Sequence, residues 1–315
     1  MADKIYIILK RCKMNLINEG EKKFTKRQII LLTLIIGYYL LLIMATTFGR
    51  PAENIFVRTI DFDVLSAYQQ AWNQFSFNSF FHILVNIGML FPLGILLPLF
   101  SEVFLKAKWM LITSITTTLF IETLQFITLR GSAALDDLLH NTIGMMLGYC
   151  ILNIVLILFL KKESHTQIIK YLILPVAVSF VALGIIISYQ MKEFGNMPFD
   201  PYGKTDMSHV TIKTSLELSD EGKKMPIYDP KGQKVRDVEI ISPKEAFQKL
   251  KQGDIYPMGP FGAGEEFEGE TLDIIEYNLE YYTDTKGFDH PAYIFRVQLK
   301  DNNIILTTPP ISASK

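Results

Sequence analysis

Cysteine is almost absent from this 315-residue sequence: Cys12 lies in a basic N-terminal stretch and Cys150 in an apolar run. The two do not look like a pair, so no disulfide framework is suggested. Residues 192–315 contain no cysteine and must be held together by an apolar core alone. Net charge is also nearly absent, at −1. Because the charges are segregated along the chain, that value is uninformative about acidic partners, and nucleic acid is not among the expected ones. The spans lack a His-Glu-x-x-His pattern and place no Ser or Cys beside a His, which removes the commonest hydrolase signatures. The Gly-rich piece GPFGAGEE (259–266) lacks the Lys-Ser/Thr ending of a phosphate loop and reads as an exposed loop. No cofactor is expected.

What is present is apolar length. Hydrophobic residues make up 49% of the chain and mean hydropathy is positive despite 20% charged residues. The average hides a split: residues 29–190 are oily and sparsely charged, whereas 192–315 carry the mixed charge of a soluble domain. The length suffices for two compact units. A bilayer core of about 30 Å needs about 20 apolar residues in a helix. Five segments meet this: Ile29 to Phe48, Phe80 to Phe100, Trp109 to Leu129, Leu138 to Leu160 and Tyr171 to Tyr189. A cleaved signal peptide is a poor alternative for the first, since a 28-residue basic leader precedes it and no small-residue cleavage site follows. The expected fold is therefore an all-α membrane helix bundle of five transmembrane helices, with a C-terminal soluble α+β domain. The expected divisions are a basic N-terminus (1–28), the bundle (29–190), a linker (191–208) and the α+β domain (209–315).

Orientation follows from Lys and Arg in the short loops. With the N-terminus cytoplasmic, segments 1–28, 101–108 and 161–170 hold 8, 2 and 3 basic residues, while the outer loops hold Arg50, Arg58 and Arg130. The multi-pass chain is expected in the cell membrane, N-terminus inside and C-terminal domain extracytoplasmic. In the first outer loop, VLSAYQQAWNQF (64–75) places Leu65, Tyr68, Trp72 and Phe75 at helical spacing. Either an interfacial helix or a plug over the bundle fits that stripe.

Polar groups inside a membrane are costly, so their positions are informative. Nearly all fall towards the expected outer ends. His82 and Asn86 are one turn apart on the second span. Ser114, Thr118, Glu122 and Gln125 form one stripe on the third. Arg130 follows, then Asp136, Asp137, His140 and Asn141 open the fourth. Small Gly144 and Gly148 allow close helix approach. The third and fourth helices are expected to form an antiparallel hairpin in which Glu122, Gln125, Arg130, Asp136, Asp137 and Asn141 surround a pocket open to the outside. Simpler readings stand beside this: Glu122 and Gln125 as an interhelical clasp, Asp136 and Asp137 as helix caps, His82 as a packing residue, and Asn153 as a single interhelical hydrogen bond. Pro92 and Pro98 fit a kink.

At these residues the sequence resembles the VanZ-like family of bacterial membrane proteins. The family pattern runs from an Asn-containing stretch to Pro-Leu-Gly, then Glu-x-x-Gln, an Arg, an acidic cluster and Leu-Leu-x-Asn-Thr-x-Gly. Here it reads HILVNIGMLFPLGILLPLF (82–100), IETLQ (121–125), Arg130 and LDDLLHNTIGMMLGY (135–149). The match covers about residues 30–160. Ala134 stands where the family usually has a further Asp. The resemblance implies a cell-envelope role, since the founding member is associated with resistance to the glycopeptide teicoplanin.

Beyond Lys192, alternation in 209–218, a hairpin over 225–241 turning at Asp229-Pro-Lys-Gly, and strands at 274–283, 291–300 and 303–310 predict an antiparallel sheet. SPKEAFQKLKQG (242–253) predicts a helix capped by Ser242, with Pro243 first, Glu245 in the capping box and Gly253 to stop it. The Ser-Pro-x-Glu-Ala helix start and the Ala-Tyr-Ile-Phe run are similar to PepSY-like extracytoplasmic regulatory domains. His209 and His290 have no ligand spacing around them.

Three functions remain open. The first is a non-enzymatic protein whose polar pocket (Asn86, Glu122, Gln125, Arg130, Asp136, Asp137, His140, Asn141) binds a lipid-linked cell-wall precursor, a lipoglycopeptide or another amphiphile among the membrane lipids. The second is an intramembrane hydrolase or transferase using Glu122 and Asp137 as catalytic groups, with a metal on His82, Glu122, Asp136 and His140 as a minor variant. The third is a sensor in which the C-terminal domain binds an envelope protein and the bundle is an anchor.

Overall fold

The structure is a computed structural model and describes residues 24–48, 60–61, 64–128, 133–160, 165–201, 203–257, 261, 269–299 and 304–315. The chain divides into two compact units. The described residues up to Val64 join His82–Ile187 in one, and Leu65–Phe81 join Ser188–Lys315 in the other.

The first unit is helical. Helix α1 (Lys26–Ile43) starts at a capping box in which the Thr25 hydroxyl accepts from Gln28 N and the Gln28 side chain accepts from Thr25 N. It ends in a π-helical turn, Met44–Phe48. After the short strand β1 (Ile60–Asp61) and helix α2 (Ser66–Gln74), which belongs to the other unit, come α3 (Phe77–Phe100), α4 (Ala107–Thr128), strand β2 (Ala133–Ala134), α5 (Leu135–Leu160) and α6 (His165–Met191). Five helices (all of these but α2) are long and apolar enough to cross a membrane. Several begin earlier than their apolar runs, because polar residues such as Asn78 and Asp136 extend the first turn.

The interior of this unit is built from Ile35, Leu42, Leu90, Leu93, Met110, Met145 and Tyr149. Outer faces carry exposed Leu40, Leu84, Phe120 and Phe180, as expected where hydrocarbon rather than water is the solvent. Helix α6 is peripheral and touches the core through Tyr171 and Leu174. Buried hydroxyls are paired across helices: Tyr38 OH donates to Met89 O at 2.8 Å, Tyr149 OH to Leu105 O at 2.7 Å, and Tyr39 OH lies 3.0 Å from Thr117 Oγ1.

Helices α4 and α5 form the expected antiparallel pair, but the glycines do not serve it. Gly144, Gly148 and Gly94 bring α5 against α3: a Cβ on Gly144 would lie 1.7 Å from Ile87 O, one on Gly148 2.2 Å from Phe91 O, and one on Gly94 2.1 Å from Met145 O. Only Cα hydrogens fit there. Asn153 also differs from expectation. Its Nδ2 donates to Tyr149 O of its own helix at 2.8 Å, because a short amide reaches the carbonyl one turn back.

The second unit is a mixed sheet in the order β3–β6–β7–β4–β5, with strands β3 (Thr211–Thr214), β4 (Lys224–Tyr228), β5 (Lys234–Glu239), β6 (Thr271–Thr283) and β7 (Asp289–Leu299). The far edge of β7 is filled in turn by β4 at Asp289, β9 (Ile311–Ser312) at Ala292–Tyr293 and β8 (Ile305–Thr307) at Arg296–Gln298. The sheet is not wholly antiparallel: β3 runs parallel to β6, and the hairpin and helix between them provide the long return that a parallel pair requires. The strand expected over 303–310 is cut short at Pro309–Pro310, which lack N–H donors. In the β4–β5 turn, Asp229 Oδ1 accepts from Lys231 N and Gln233 N, and Gly232 takes positive φ. Helix α7 (Pro243–Lys251) has the capping box expected of Ser242 and Glu245. It buries Ala246, Phe247 and Leu250 against Phe295, Leu272, Ile274 and Val297.

Helix α2 docks within this second unit, which its apolar stripe alone did not reveal. Trp72 and Phe75 pack on Tyr189, and Asn73 Nδ2 donates to Asp200 O at 2.8 Å. The Asn196 side chain donates to Trp72 O. The β6–β7 turn holds the same region. Asp284 accepts from Gly195 N at 2.6 Å, Lys286 N at 2.7 Å and Phe288 N at 3.0 Å, with His290 Nε2 at 3.0 Å. Thr285 Oγ1 accepts from Asn196 N and from Tyr189 OH.

Candidate functional site: a buried polar end of the helical unit

The register of the α4–α5 pair sets the site. Ser114 Oγ donates to Thr142 Oγ1 at 3.3 Å at one level, and Ala134 N donates to Glu122 Oε2 at 3.4 Å at another. The i, i+4, i+8 stripe of α4 therefore runs along the opening turns of α5. Glu122 is 8% exposed and Asp136 6%, so both carboxyls face protein.

Helix α3 contributes next. Asn86 Nδ2 donates to Asp137 Oδ1, and His140 Nδ1 lies 3.9 Å from the same oxygen, within ion-pair range when the ring is protonated. The glycine contact fixes this meeting, since Ile87, whose carbonyl abuts Gly144, follows Asn86 directly. Helix α1 closes the arrangement. Gln125 Nε2 donates to Thr46 O at 3.1 Å. Thr46 lies in the last turn of the helix, where carbonyls lack intrahelical partners, and its Oγ1 turns back to Leu42 O at 2.7 Å.

Several buried polar atoms have no hydrogen-bond partner among the described residues. These are both amide atoms of Asn141, Oε1 of Gln125, and the hydroxyls of Thr118 and Thr47. Asn141 is fully buried and sits one turn beyond Asp137. Such groups are uncommon in native proteins and call for an explanation.

The end is acidic. Among the described residues of this unit, Lys26, Arg27, Lys106, Lys108 and Lys170 all lie at the starts of α1, α4 and α6, at the opposite end of the bundle. Arg130 falls outside the described residues, so its relation to the carboxylates is not part of the geometry. His82 is exposed on α3. Among the described residues no group of three His, Cys, Asp or Glu side chains could hold a metal ion. Of the residues singled out in the sequence, then, Asn86, Asp137 and His140 meet directly. Glu122 reaches the backbone just before Asp136, and Gln125 reaches α1. Thr46 and Thr47 were missed. Their only signal was a polar break at the end of the first apolar run.

No curated protein and no solved structure matches the chain. A family model does: residues 29–158 match VanZ/LLP1. The match spans the helices that build the polar end and stops before α6 and the sheet unit. Every described residue of the candidate site falls inside it. Residues 29–158, less than half of the chain, are thus similar to the VanZ/LLP1 family, and they include four of the five helices that are long and apolar enough to cross a membrane.

Proposed function

We propose that the protein is a non-enzymatic component of the bacterial cell envelope that binds a lipid-linked or amphiphilic envelope molecule at the polar end of its bundle. The excess of Lys and Arg in 1–28, 101–108 and 161–170 supports a cytoplasmic N-terminus, which puts this polar end and the C-terminal domain on the outer side. The observation that carries the reading is Asn141, fully buried with two unanswered hydrogen-bonding atoms beside an amide-bound carboxylate. In a membrane such groups are retained where something polar meets them. A role like glycopeptide resistance follows if the bound molecule is a lipid-linked wall precursor or a lipoglycopeptide. The C-terminal domain, with its PepSY-like order of strand, helix and aromatic strand, then serves an envelope protein partner.

Glu122→Gln and Asp137→Asn test this at constant shape. In a strain lacking its other copies of such proteins, each is expected to restore lipoglycopeptide susceptibility while membrane protein levels stay normal. Unchanged susceptibility in both would remove the polar end from the explanation. Turnover of a lipid-linked sugar by purified protein, abolished in both variants, would establish the hydrolase or transferase reading instead.

A further inference from the structure

The sheet unit includes the ends of two apolar helices: Phe77–Phe81 open α3, and Ser188–Met191 close α6. Both helices are long and apolar enough to cross a membrane. Rings from the two ends and from α2 join in one chain. Phe80 meets Phe75 at 5.3 Å between ring centroids, and Phe75 stacks on Tyr189. Trp72 of α2 lies edge-on to Phe75 at 5.8 Å and to Tyr189 at 6.3 Å. Two cations lie over this chain: Lys192 Nζ is 5.6 Å from the centre of Trp72, and Lys286 Nζ 5.0 Å from that of Tyr189. Next to it in sequence, Phe77 and Phe81 stack on each other, and Phe77 and Met191 are 77% and 81% exposed.

Trp, Tyr and Lys are the side chains that settle at headgroup level, since each joins an apolar body to a polar tip. Side chains as open as Phe77 and Met191, on helices that cross a bilayer, have hydrocarbon rather than water as their neighbour. Lys286 is committed to the protein: its Nζ donates to Lys192 O and, at 3.5 Å, to Gln190 O, the open carbonyls at the end of α6. Lys192 has more to give. It is exposed, and among the described residues its Nζ donates to Asn196 Oδ1 alone, which leaves two N–H groups. Of the nearby acids, Asp200 senses its charge, and Glu193 is paired with Arg236 at 3.2 Å. We propose that this cluster seats the sheet unit in the headgroup layer of the bilayer, with Trp72 at the interface and Lys192 Nζ on the phosphate of an anionic phospholipid. Helix α2 is then an interfacial helix and not a plug.

The test reads Trp72 fluorescence in the full-length protein carrying Trp109→Phe, or Trp109→Tyr if that variant folds poorly, since Trp72 is then the only tryptophan. The protein is held in nanodiscs of phosphatidylcholine with a small fraction of either phosphatidylglycerol or phosphatidylcholine brominated high on the acyl chains. Both brominated lipids are expected to quench Trp72. Phosphatidylglycerol is expected to be enriched beside it about fivefold, the equivalent of about 1 kcal/mol for one lysine at a membrane surface. Lys192→Gln is expected to bring that preference close to unity, and Lys213→Gln, exposed on β3, to leave it unchanged. Quenching by neither lipid would overturn the seat. Aqueous acrylamide would then show Trp72 open to water if it quenches, and covered by protein (a plug or a second copy of the chain) if it does not. Equal quenching by the two lipids, or a preference that survives Lys192→Gln, would overturn the phosphate contact.

Discussion

Gly144→Ala adds one methyl group where α5 crosses α3, and the structure sets what that methyl meets. Its carbon would sit 1.7 Å from Ile87 O, against an ordinary contact of at least 3.4 Å. The obstacle is backbone, so it cannot rotate aside, and the two helices must part by more than about 1 Å. A radial gap of 0.5–1 Å already forfeits about a quarter to a half of each dispersion contact. The contacts at stake belong to Leu90, Leu93 and Met145, none of which is exposed at all. Overpacking in a closed core costs about 1–3 kcal/mol, and the bond from Asn86 to Asp137 lies one residue from the contact. The helix-propensity gain of Ala over Gly, about 1 kcal/mol, opposes this only partly. A net loss of about 2 kcal/mol is expected, seen as a lower unfolding temperature of the full-length protein in lipid nanodiscs. Gly184→Ala and Gly37→Ala, where an added Cβ meets nothing within 4 Å, are expected to leave that temperature unchanged or slightly raised. If Gly144→Ala behaves like those two, the close approach of α3 and α5 does not exist as described.

Two further predictions concern the sheet unit. Burial pushes the Asp200 carboxyl up to about 6, with Asp254 adding to the rise and Lys249 and Lys192 opposing it. Folding then favours the protonated acid, so its stability is fully present below pH 4 and is lost as pH rises through 6. At pH 7.5 the ionised group costs about 2–3 kcal/mol, so Asp200→Asn is expected to raise the unfolding temperature there and to leave it unchanged at pH 4. A gain of equal size at both pH values would refute the assignment. Asp284→Ala removes the acceptor of Gly195 N, Lys286 N and Phe288 N and the partner of His290. A loss of about 3 kcal/mol is expected, with hydrogen exchange rising first at 284–288 and 194–196; unaltered exchange there would overturn the role of the turn as a clamp.

Much of this molecule could be read without coordinates, where one local rule settled the matter. Apolar runs long enough for a bilayer gave the spans. Ser242, Pro243, Glu245 and Gly253 gave the capped helix, because a cap is a contact between residues three apart. The polar residues of α3, α4 and α5 could be assigned to one end of the bundle, since the order of spans fixes depth. What stayed hidden depends on which helix lies next to which. Gly144 and Gly148 announce close approach but not the partner, and the hairpin partner α4 was the natural expectation where α3 is the real one. Thr46 matters because its main-chain carbonyl, in the turn that ends α1, meets the Gln125 amide, and no periodicity encodes that meeting. The docking of α2 on Tyr189 and Asn196 joins residues more than a hundred positions apart.

The glycine contact and the polar end are parts of one arrangement. Asn86 precedes Ile87, whose carbonyl abuts Gly144, and Gly144 follows Asn141 by one turn. The methylene of one glycine thereby sets the distance between α3 and α5 at the level where Asn86 meets Asp137 and Asn141 keeps its amide unanswered. Open hydrogen-bonding groups in an apolar medium are under pressure to find each other. A backbone-on-backbone contact resists that collapse, because main-chain atoms cannot change rotamer. Under the binding role proposed above, rigidity bought by glycine would keep Asn141 available to a ligand, the preorganisation that binding requires. Substitutions at Gly144 should consequently weaken ligand binding by more than their effect on stability alone implies, whereas equal losses at the outer faces of the helices should leave it intact.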